Sequence, residues 1–457
     1  MVEKKILSEL YETIGKEKVE INKNFLVTYS YDSTGQKHLP DIIVFPHNEE
    51  DVKEILKIAS KYMIPVTPRG AGVGYSGGAV PVKGGISLVF TKMNRIINID
   101  KKNMLAVVEP GVITQNLHVE CERAGLFYPP DPASLKTSTL GGNVSENAGG
   151  PRCFKYGVTS NYVLALEGYL ISGEKVKFGT STIKDVSGYD IKHLITGSEG
   201  TLIVITRIFL RLIPKPDKDI LVKLNFNSLW SGSDFINKVI GANLSPSVLE
   251  FIDRTSIEAV YDYINIPLNK KLNSVVLIEF DGSVSEIEKR ISKLRTMINN
   301  SDILSYEIAE SSEEKEKLWS IRRNISPAIA NIKPKKINED IAVPIGEIPD
   351  TVRYISKLSE ETGIKIIMFG HFGDGNIHTN LMIDPENREE VKKCEYLLDK
   401  IFKHVISVNG TISGEHGIGI SKKAFLKYQY GETEIELFKR IKKVFDPHGL
   451  LNPGKIF

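Results

Sequence analysis

The sequence predicts an α+β protein of two main domains and a short closing segment, on three observations. First, 457 residues are too many for a single hydrophobic core. Second, from Asp41 to Pro216 the chain runs in short β-branched stretches broken by glycine, with few helical patterns and no regular alternation of strand and helix. Third, beyond Pro216 strand-like runs alternate with long amphipathic stretches, the pattern of an antiparallel sheet with helices on one face. The domains then fall at 1–216 and 217–413, with 414–457 closing onto the first, and Pro214, Lys215 and Pro216 punctuate the first boundary.

Taken in order, Met1 to Gly15 carries charges throughout, with Ile6, Leu10 and Ile14 at helical spacing, which predicts a short amphipathic helix and not a signal peptide. Ile42 to Phe45 is a strand, Asn48 caps a helix reaching Tyr62, and Ile64 to Thr67 is the next strand. A loop with five glycines, Pro68 to Val80, follows. Strands are expected at Ile86 to Phe90 and within Met104 to Gly111, and Thr114 is expected to cap a helix ending at Gly125. Pro129 to Gly150 is too long and too rich in small residues for a packed element and reads as a functional loop. Leu164 to Gly179 is a hairpin turning at Ser172 and Gly173, and Gly197 to Leu212 ends the domain.

In the second domain, strands are expected at Val222 to Phe226, Ser274 to Asp281, Ile303 to Ala309, Asp340 to Val343, Ile364 to Phe369 and Ile377 to Ile383. Helices are expected at Ser285 to Asn299 and at Ser312 to Asn331, the latter kinked at Pro327. Two more follow, Glu386 to Val408 and Glu432 to Phe445.

An apolar content of 41% with 25% charged residues is that of a soluble globular protein. A net charge of +2, without a basic stripe or interleaved aromatics, gives no footprint for nucleic acid. Cys121, Cys153 and Cys394 lie far apart, form no iron–sulfur spacing and read as reduced thiols of a cytoplasmic protein. No apolar run approaches the length of a membrane span, so any membrane association is expected to come through a partner.

Two groups of residues carry chemistry. Successive peptides in PRGAGVGYSGG, Pro68 to Gly78, can point their amides at anionic oxygens and cradle a pyrophosphate. No amphipathic helix follows that loop and no acidic residue stands where a ribose would need one, which argues against a Rossmann fold. The second group is GHFGDGNIHTN, from Gly370 to Asn380, with GEHG at Gly414 to Gly417. His371 and His378 flank a tight turn, and His416 follows Glu415. This pattern fits a divalent metal site with a base beside it, and equally a hairpin whose histidines are hydrogen-bonded loop residues.

PRGAGVGYSGGAV, PPDPAS, TLGGNVSENAGGPRCFKYG, GSEGTL, GHFGDGNIH, SGEHGIG and FDPHGLLNPGK occur in that order. Together they resemble the FAD-linked 2-hydroxy-acid dehydrogenases of the vanillyl-alcohol-oxidase superfamily, which include D-lactate dehydrogenases, the glycolate oxidase catalytic subunit and D-2-hydroxyglutarate dehydrogenase. The resemblance runs from about Leu39 to Phe457. It implies a two-part FAD domain followed by a substrate (cap) domain. Pro68, Arg69, Gly70, Ala71, Gly72, Val73, Gly74, Ser76, Gly77 and Gly78 would form the pyrophosphate loop. Pro130, Ser134, Thr139, Leu140, Gly141, Gly142, Asn143, Asn147, Ala148, Gly149, Gly150, Tyr156 and Gly157 would wrap the ADP and flavin. Glu199, Gly200, Ile205 and Asn452 would complete that site. Relatives that bind the flavin covalently do so through a histidine of the pyrophosphate loop; none stands between Pro68 and Val80, so FAD is expected without a covalent bond.

For the substrate, the resemblance implies His371, His378 and Glu415 as ligands of a divalent metal, zinc first with manganese and iron also suited, and His416 as catalytic base. Arg322 and Ser326, four apart on one helix face, match the family's arginine and hydroxyl positions, and Asn380 a substrate contact. Lys336 would be a further carboxylate contact, at a spacing that departs from the hydroxyglutarate enzymes. The expected activity is oxidation of a small D-2-hydroxy acid, D-lactate first, with glycolate or D-2-hydroxyglutarate as alternatives. Electrons would pass to an electron-transferring flavoprotein, an iron–sulfur subunit or a quinone pathway, and a homodimer is left open. A flavin-independent metallohydrolase and a noncatalytic FAD-binding subunit are the readings from other classes. Asp374 is expected to hold its turn, His193, His404 and His448 to be structural, and Cys153 to pack.

Overall fold

The computed structural model describes residues 4–457; Met1 to Glu3, the start of the expected N-terminal helix, lie outside them. The chain folds as two units. The first comprises the described residues up to Gly149 together with Val158–Lys215 and Glu415–Phe457, and the second comprises Gly150–Gly157 and Pro216–Gly414.

Three sheets build the first unit. Strands β1 (Val19–Glu20), β2 (Ile42–Val44), β3 (Val66–Arg69) and β4 (Ile86–Val89) form one in the order β1-β2-β4-β3, with β2, β4 and β3 parallel. Strands β5 (Ile96–Asp100), β6 (Leu105–Val108), β8 (Val163–Tyr169), β9 (Lys175–Gly179) and β10 (Val204–Arg211) form an antiparallel sheet in the order β5-β6-β10-β8-β9, and β7 (Leu126–Phe127) pairs with β11 (Ile213–Pro214). The helices Lys4–Ile14 and Glu49–Lys61 bury Ile6, Leu10, Ile55 and Leu56 in one cluster with Ile42, Val44, Ile86 and Leu88. Each such side chain contributes about 1.5–3 kcal/mol by leaving water. Asn48 caps Glu49–Lys61 as expected, its side chain accepting from the Asp51 amide at 2.9 Å. The hairpin of β8 and β9 also forms as expected.

Two expectations fail here. Thr114 opens the helix Thr114–Arg123 but does not cap it; Ile113 holds the cap position, and the Thr114 hydroxyl is instead buried against Ser138 and the Asn143 amide. Nor is Pro129 to Gly150 without packed structure, because Leu140–Glu146 is a helix with Thr139 as its cap and Leu140 and Val144 buried. Two glycines at its start disguise the helix, and burial supplies what propensity lacks.

The second unit is a seven-stranded antiparallel sheet of β12 (Lys218–Phe226), β13 (Val248–Asp253), β14 (Ser274–Gly282), β15 (Ser305–Ala309), β16 (Lys335–Ala342), β17 (Lys365–Gly370) and β18 (Asn376–Ile383), in the order β15-β12-β14-β13-β17-β18-β16. Every residue of β14 from Ser274 to Asp281 is buried. Helices therefore cover both faces, where one had been expected. On one face Ile257, Val260, Leu318 and Ile321 cluster with Leu221, Val275 and Leu277, and on the other Phe235 packs on Phe226 with ring centroids 5.5 Å apart. Strand β13 escaped the sequence reading, and β16 reaches back to Lys335 because all eight of its residues pair with β18. The helix expected over Ser312 to Asn331 is two, Ser312–Arg323 and Ile325–Ile329, parted at Asn324. Pro327 explains the break: its nitrogen cannot donate to the Arg323 carbonyl one turn back, and its ring would crowd it. Among the described residues no helix is long and apolar enough to cross a membrane.

Candidate functional site

In the first unit a cavity of about 1290 Å³, its mouth included, opens where β3 runs out into the glycine-rich loop. Of the expected cofactor residues, 68–74, Gly78, Ser134, Thr139, 141–143, Ala148, Gly149, Glu199, Gly200 and Ile205 line it. Ser76, Gly77, Pro130, Leu140, Asn147 and Asn452 belong to the same unit without lining the cavity, and Gly150, Tyr156 and Gly157 fold with the second unit. There the Tyr156 hydroxyl donates to Asp281 at 2.7 Å. Glu415 and His416 stand in the cavity wall, joined by Tyr75, Phe90, Pro110, Glu146 and Ile203, which the sequence reading had not singled out. Tyr75 and Glu146 sit inside the two glycine-rich motifs and were within reach of a residue-by-residue reading; Phe90 and Pro110 carry no local signal.

The wall is mostly small residues and backbone. The amides of residues 71–74 donate to no carbonyl among the described residues. Gly70 lies so close to Thr139 that an added Cβ would come 2.1 Å from the hydroxyl oxygen, whereas a Cβ on Gly74 would meet nothing within 4 Å. His416 stacks on Tyr75 with ring centroids 5.2 Å apart, and its Nε2 lies 3.9 Å from the Glu415 carboxylate. Behind it, burial pushes the Glu199 carboxyl up to about 7 and the Lys455 ammonium down to about 8, each opposed by the other's charge. Asn452 does not reach into the cavity: its side-chain amide donates to the Gly78 and Glu199 carbonyls at 2.9 and 2.7 Å.

Of the residues expected to meet metal and substrate, His371, His378, Arg322, Ser326, Lys336 and Asn380 belong to the second unit, and Glu415 and His416 to the first. His371 follows β17 and His378 lies in β18, their rings edge to face with centroids 5.2 Å apart. Glu250 of β13 ties two of them together: one carboxylate oxygen bonds His371 Nδ1 and the other accepts from Arg322 Nε. Burial pushes the Glu250 carboxyl up, but His371, while its ring is protonated, and the Arg322 guanidinium prevail and hold it at about 2. Arg322 also lies over the Phe369 ring, 4.8 Å from its centroid. Ser326 falls beyond the helix break, and its hydroxyl accepts from Lys336 at 2.8 Å. Burial lowers the Lys336 pKa. Asn380 accepts from Asn338 at 2.7 Å and donates to the Ile367 carbonyl at 3.4 Å. Asp374 accepts from the Asn376 amide and so holds its turn. Glu250 is the residue sequence reasoning missed; its one signal was a carboxylate inside the apolar run VLEFI.

A mixed unit with a glycine-walled cavity and an antiparallel sheet flanked by helices are the parts of an FAD-binding flavoprotein of the vanillyl-alcohol-oxidase fold. Solved structures agree: p-cresol methylhydroxylase with substrate bound superposes with a TM-score of 0.81 over 99% of this chain and 96% of that one, at 16% identity. The isoeugenol complex of 4-ethylphenol oxidase from Gulosibacter chungangensis gives 0.78 at 21% identity, over 99% and 96% of the two chains.

The chain belongs to the FAD-linked oxidases and is an FAD-linked oxidoreductase. The family profile "FAD linked oxidases, C-terminal domain" matches residues 215–456, and "FAD binding domain" matches residues 40–179. Relatives include "Glycolate oxidase subunit GlcD" of Bacillus subtilis, 38% identical over 100% of this chain and 97% of the relative. "D-lactate dehydrogenase" of Anaerostipes hadrus is 34% identical over 96% and 93%, and "D-2-hydroxyglutarate dehydrogenase" of Stutzerimonas stutzeri 32% identical over 100% of both. The cavity fits such a cofactor: unspent loop amides suit a pyrophosphate, and the absence of a side chain at Gly74, where a Cβ would meet no protein atom, leaves it room.

Proposed function

We propose that this chain oxidises a small D-2-hydroxy acid, D-lactate first, to the 2-oxo acid, with FAD held without a covalent bond and a divalent cation, zinc first, held by His371, His378 and Glu415. The observation that carries this reading is His416, a potential proton acceptor in the wall of the same cavity as the glycine-rich loop. Names of relatives support the substrate class, since glycolate, D-lactate and D-2-hydroxyglutarate share the 2-hydroxy acid group.

FAD, when bound, supplies the acceptor for the hydride that leaves the substrate's α-carbon. The cation, when bound, supplies positive charge that makes the substrate hydroxyl more acidic. With Nδ1 donating to Glu250, a neutral His371 carries its lone pair on Nε2, the arrangement metal-ligating histidines take. His416 accepts the hydroxyl proton, and its stacking on Tyr75 fixes the ring plane. Arg322 receives the substrate carboxylate through its Nη groups, its Nε being engaged by Glu250. Lys336 and Ser326 offer an ammonium and a hydroxyl to a polar substrate tail, and Asn380 stiffens the same face. Electrons then leave to an external acceptor such as an electron-transferring flavoprotein, an iron–sulfur subunit or a quinone.

The test is anaerobic mixing of the yellow holoenzyme with glycolate and with the D- and L-forms of lactate and 2-hydroxyglutarate. A D-2-hydroxy acid should bleach the flavin absorbance; bleaching by none of them overturns the reading. A colourless protein that hydrolyses esters or amides would point to the metallohydrolase.

A further inference from the structure

We propose that Glu199 is a positioning residue for His416, its carboxylate clamping the backbone of the loop that carries the base. The inference rests on the reading of His416 as proton acceptor, and its geometry lies wholly within the first unit.

Three observations carry it. The two oxygens of Glu199 each accept one amide, Ile418 and Gly419, both at 2.7 Å, immediately after His416 and Gly417. The backbone of Glu199 stands in the left-handed region at φ +54°, where glycine would sit without strain, so the strained backbone is held by what the side chain binds. Glu199 is buried, at 4% exposure, and burial raises its pKa despite the two amides, a cost no packing role requires.

The surroundings make Glu199 a rigid anchor. Its amide donates to the Ser145 carbonyl at 2.8 Å and its carbonyl accepts from Asn452 at 2.7 Å. The loop itself is closely packed: at Gly419, φ +49°, a Cβ would strike the Ser76 carbonyl at 2.0 Å, and at Gly417, φ +82°, it would strike the Glu146 carboxylate at 2.2 Å and come 3.1 Å from a Glu199 oxygen. Beyond the clamp, the Ser76 carbonyl accepts the Ile420 and Ser421 amides, which ties the segment to the loop bearing Tyr75. Removing the clamp frees the two peptides next to His416 while Tyr75 still offers its ring. A displacement of about 1 Å at a reacting group costs on the order of 10²-fold in rate.

Two variants test this. Glu199→Gly removes the carboxylate and relieves the backbone, and Glu199→Gln keeps one acceptor oxygen. FAD content is measured for both and rates are taken per bound flavin, with KM for the best reducing hydroxy acid expected to stay within about twofold. The anaerobic flavin-reduction rate should fall about 10²-fold in Glu199→Gly and less in Glu199→Gln. Hydrogen–deuterium exchange of the peptide spanning 414–421 should speed up in Glu199→Gly, a readout that needs no substrate. Unchanged exchange overturns the clamp, as does native-rate reduction; loss of FAD from both variants overturns it in favour of a cofactor-holding role. If no hydroxy acid reduces the wild-type flavin, the proposed function fails, and the exchange measurement still decides the clamp.

Discussion

His371 Nδ1 is bonded to the carboxylate of Glu250, a residue 121 positions earlier in the chain and on another strand. The bond makes Glu250 the support of a proposed metal ligand, and the same carboxylate holds Arg322. Glu250→Gln should lower the affinity for the cation by about 10–100-fold, read as metal content after dialysis against graded chelator. Glu250→Ala should cost about 3–5 kcal/mol in denaturant unfolding, because it leaves Arg322 buried without its counter-charge.

His416→Ala should keep the protein yellow and slow anaerobic bleaching by about 10²–10⁴-fold, measured by stopped flow at 450 nm or thereabouts. Bleaching at the native rate would remove His416 from the chemistry.

Chelation separates the cation from the flavin. After EDTA and gel filtration, the visible spectrum should persist while bleaching by the hydroxy acid is lost, and added Zn²⁺ or Mn²⁺ should restore it. Persistence of full activity in metal-free protein would refute the metal role of His371, His378 and Glu415.

Gly70→Ala and Gly74→Ala should part company. The first drives a methyl into Thr139 and should destabilise the apoprotein by about 1–3 kcal/mol. At Gly74 the methyl meets no protein atom, so apoprotein stability should hold while FAD binding weakens, as followed by flavin fluorescence quenching.

Glu199 gives a pH signature with a definite sign. Its folded carboxyl is raised to about 7, so the folded chain holds a proton that the unfolded chain has already released. Its contribution to stability is full below the ordinary carboxylate range, declines as pH rises, and is lost above about pH 7. The difference in unfolding free energy between wild type and Glu199→Gln should therefore shift across that window and level off beyond it.

Much of the fold was legible because its signals are local. Asn48 announces its helix through a cap, and Ser172 with Gly173 announces the β8–β9 hairpin through a turn. The histidines of the GDGN turn could likewise be placed at the head of two adjacent strands. What stayed hidden depends on partners distant in sequence. Strand β13 is a six-residue run interrupted by Glu250, and only its pairing with β14 and β17 makes it central. Arg322 and Ser326 share a helical spacing, but Pro327 acts on the turn before it and parts them. The residues at 150–157 read as cofactor loop by motif, yet Arg152 and Lys155 pair with Glu279 and Asp281 and the segment folds with the second unit.

The tie between Asn452 and Gly78 spans 374 residues, and that between Lys455 and Val80 spans 375. On a ribosome adding about 5–20 residues per second, the glycine-rich loop emerges roughly 20–75 s before the segment that fastens it. Through most of that interval the second unit is made, and the cavity lacks the wall that Glu415 and His416 supply. Nascent chains arrested before Glu415 should therefore emerge without bound flavin, as read by flavin fluorescence.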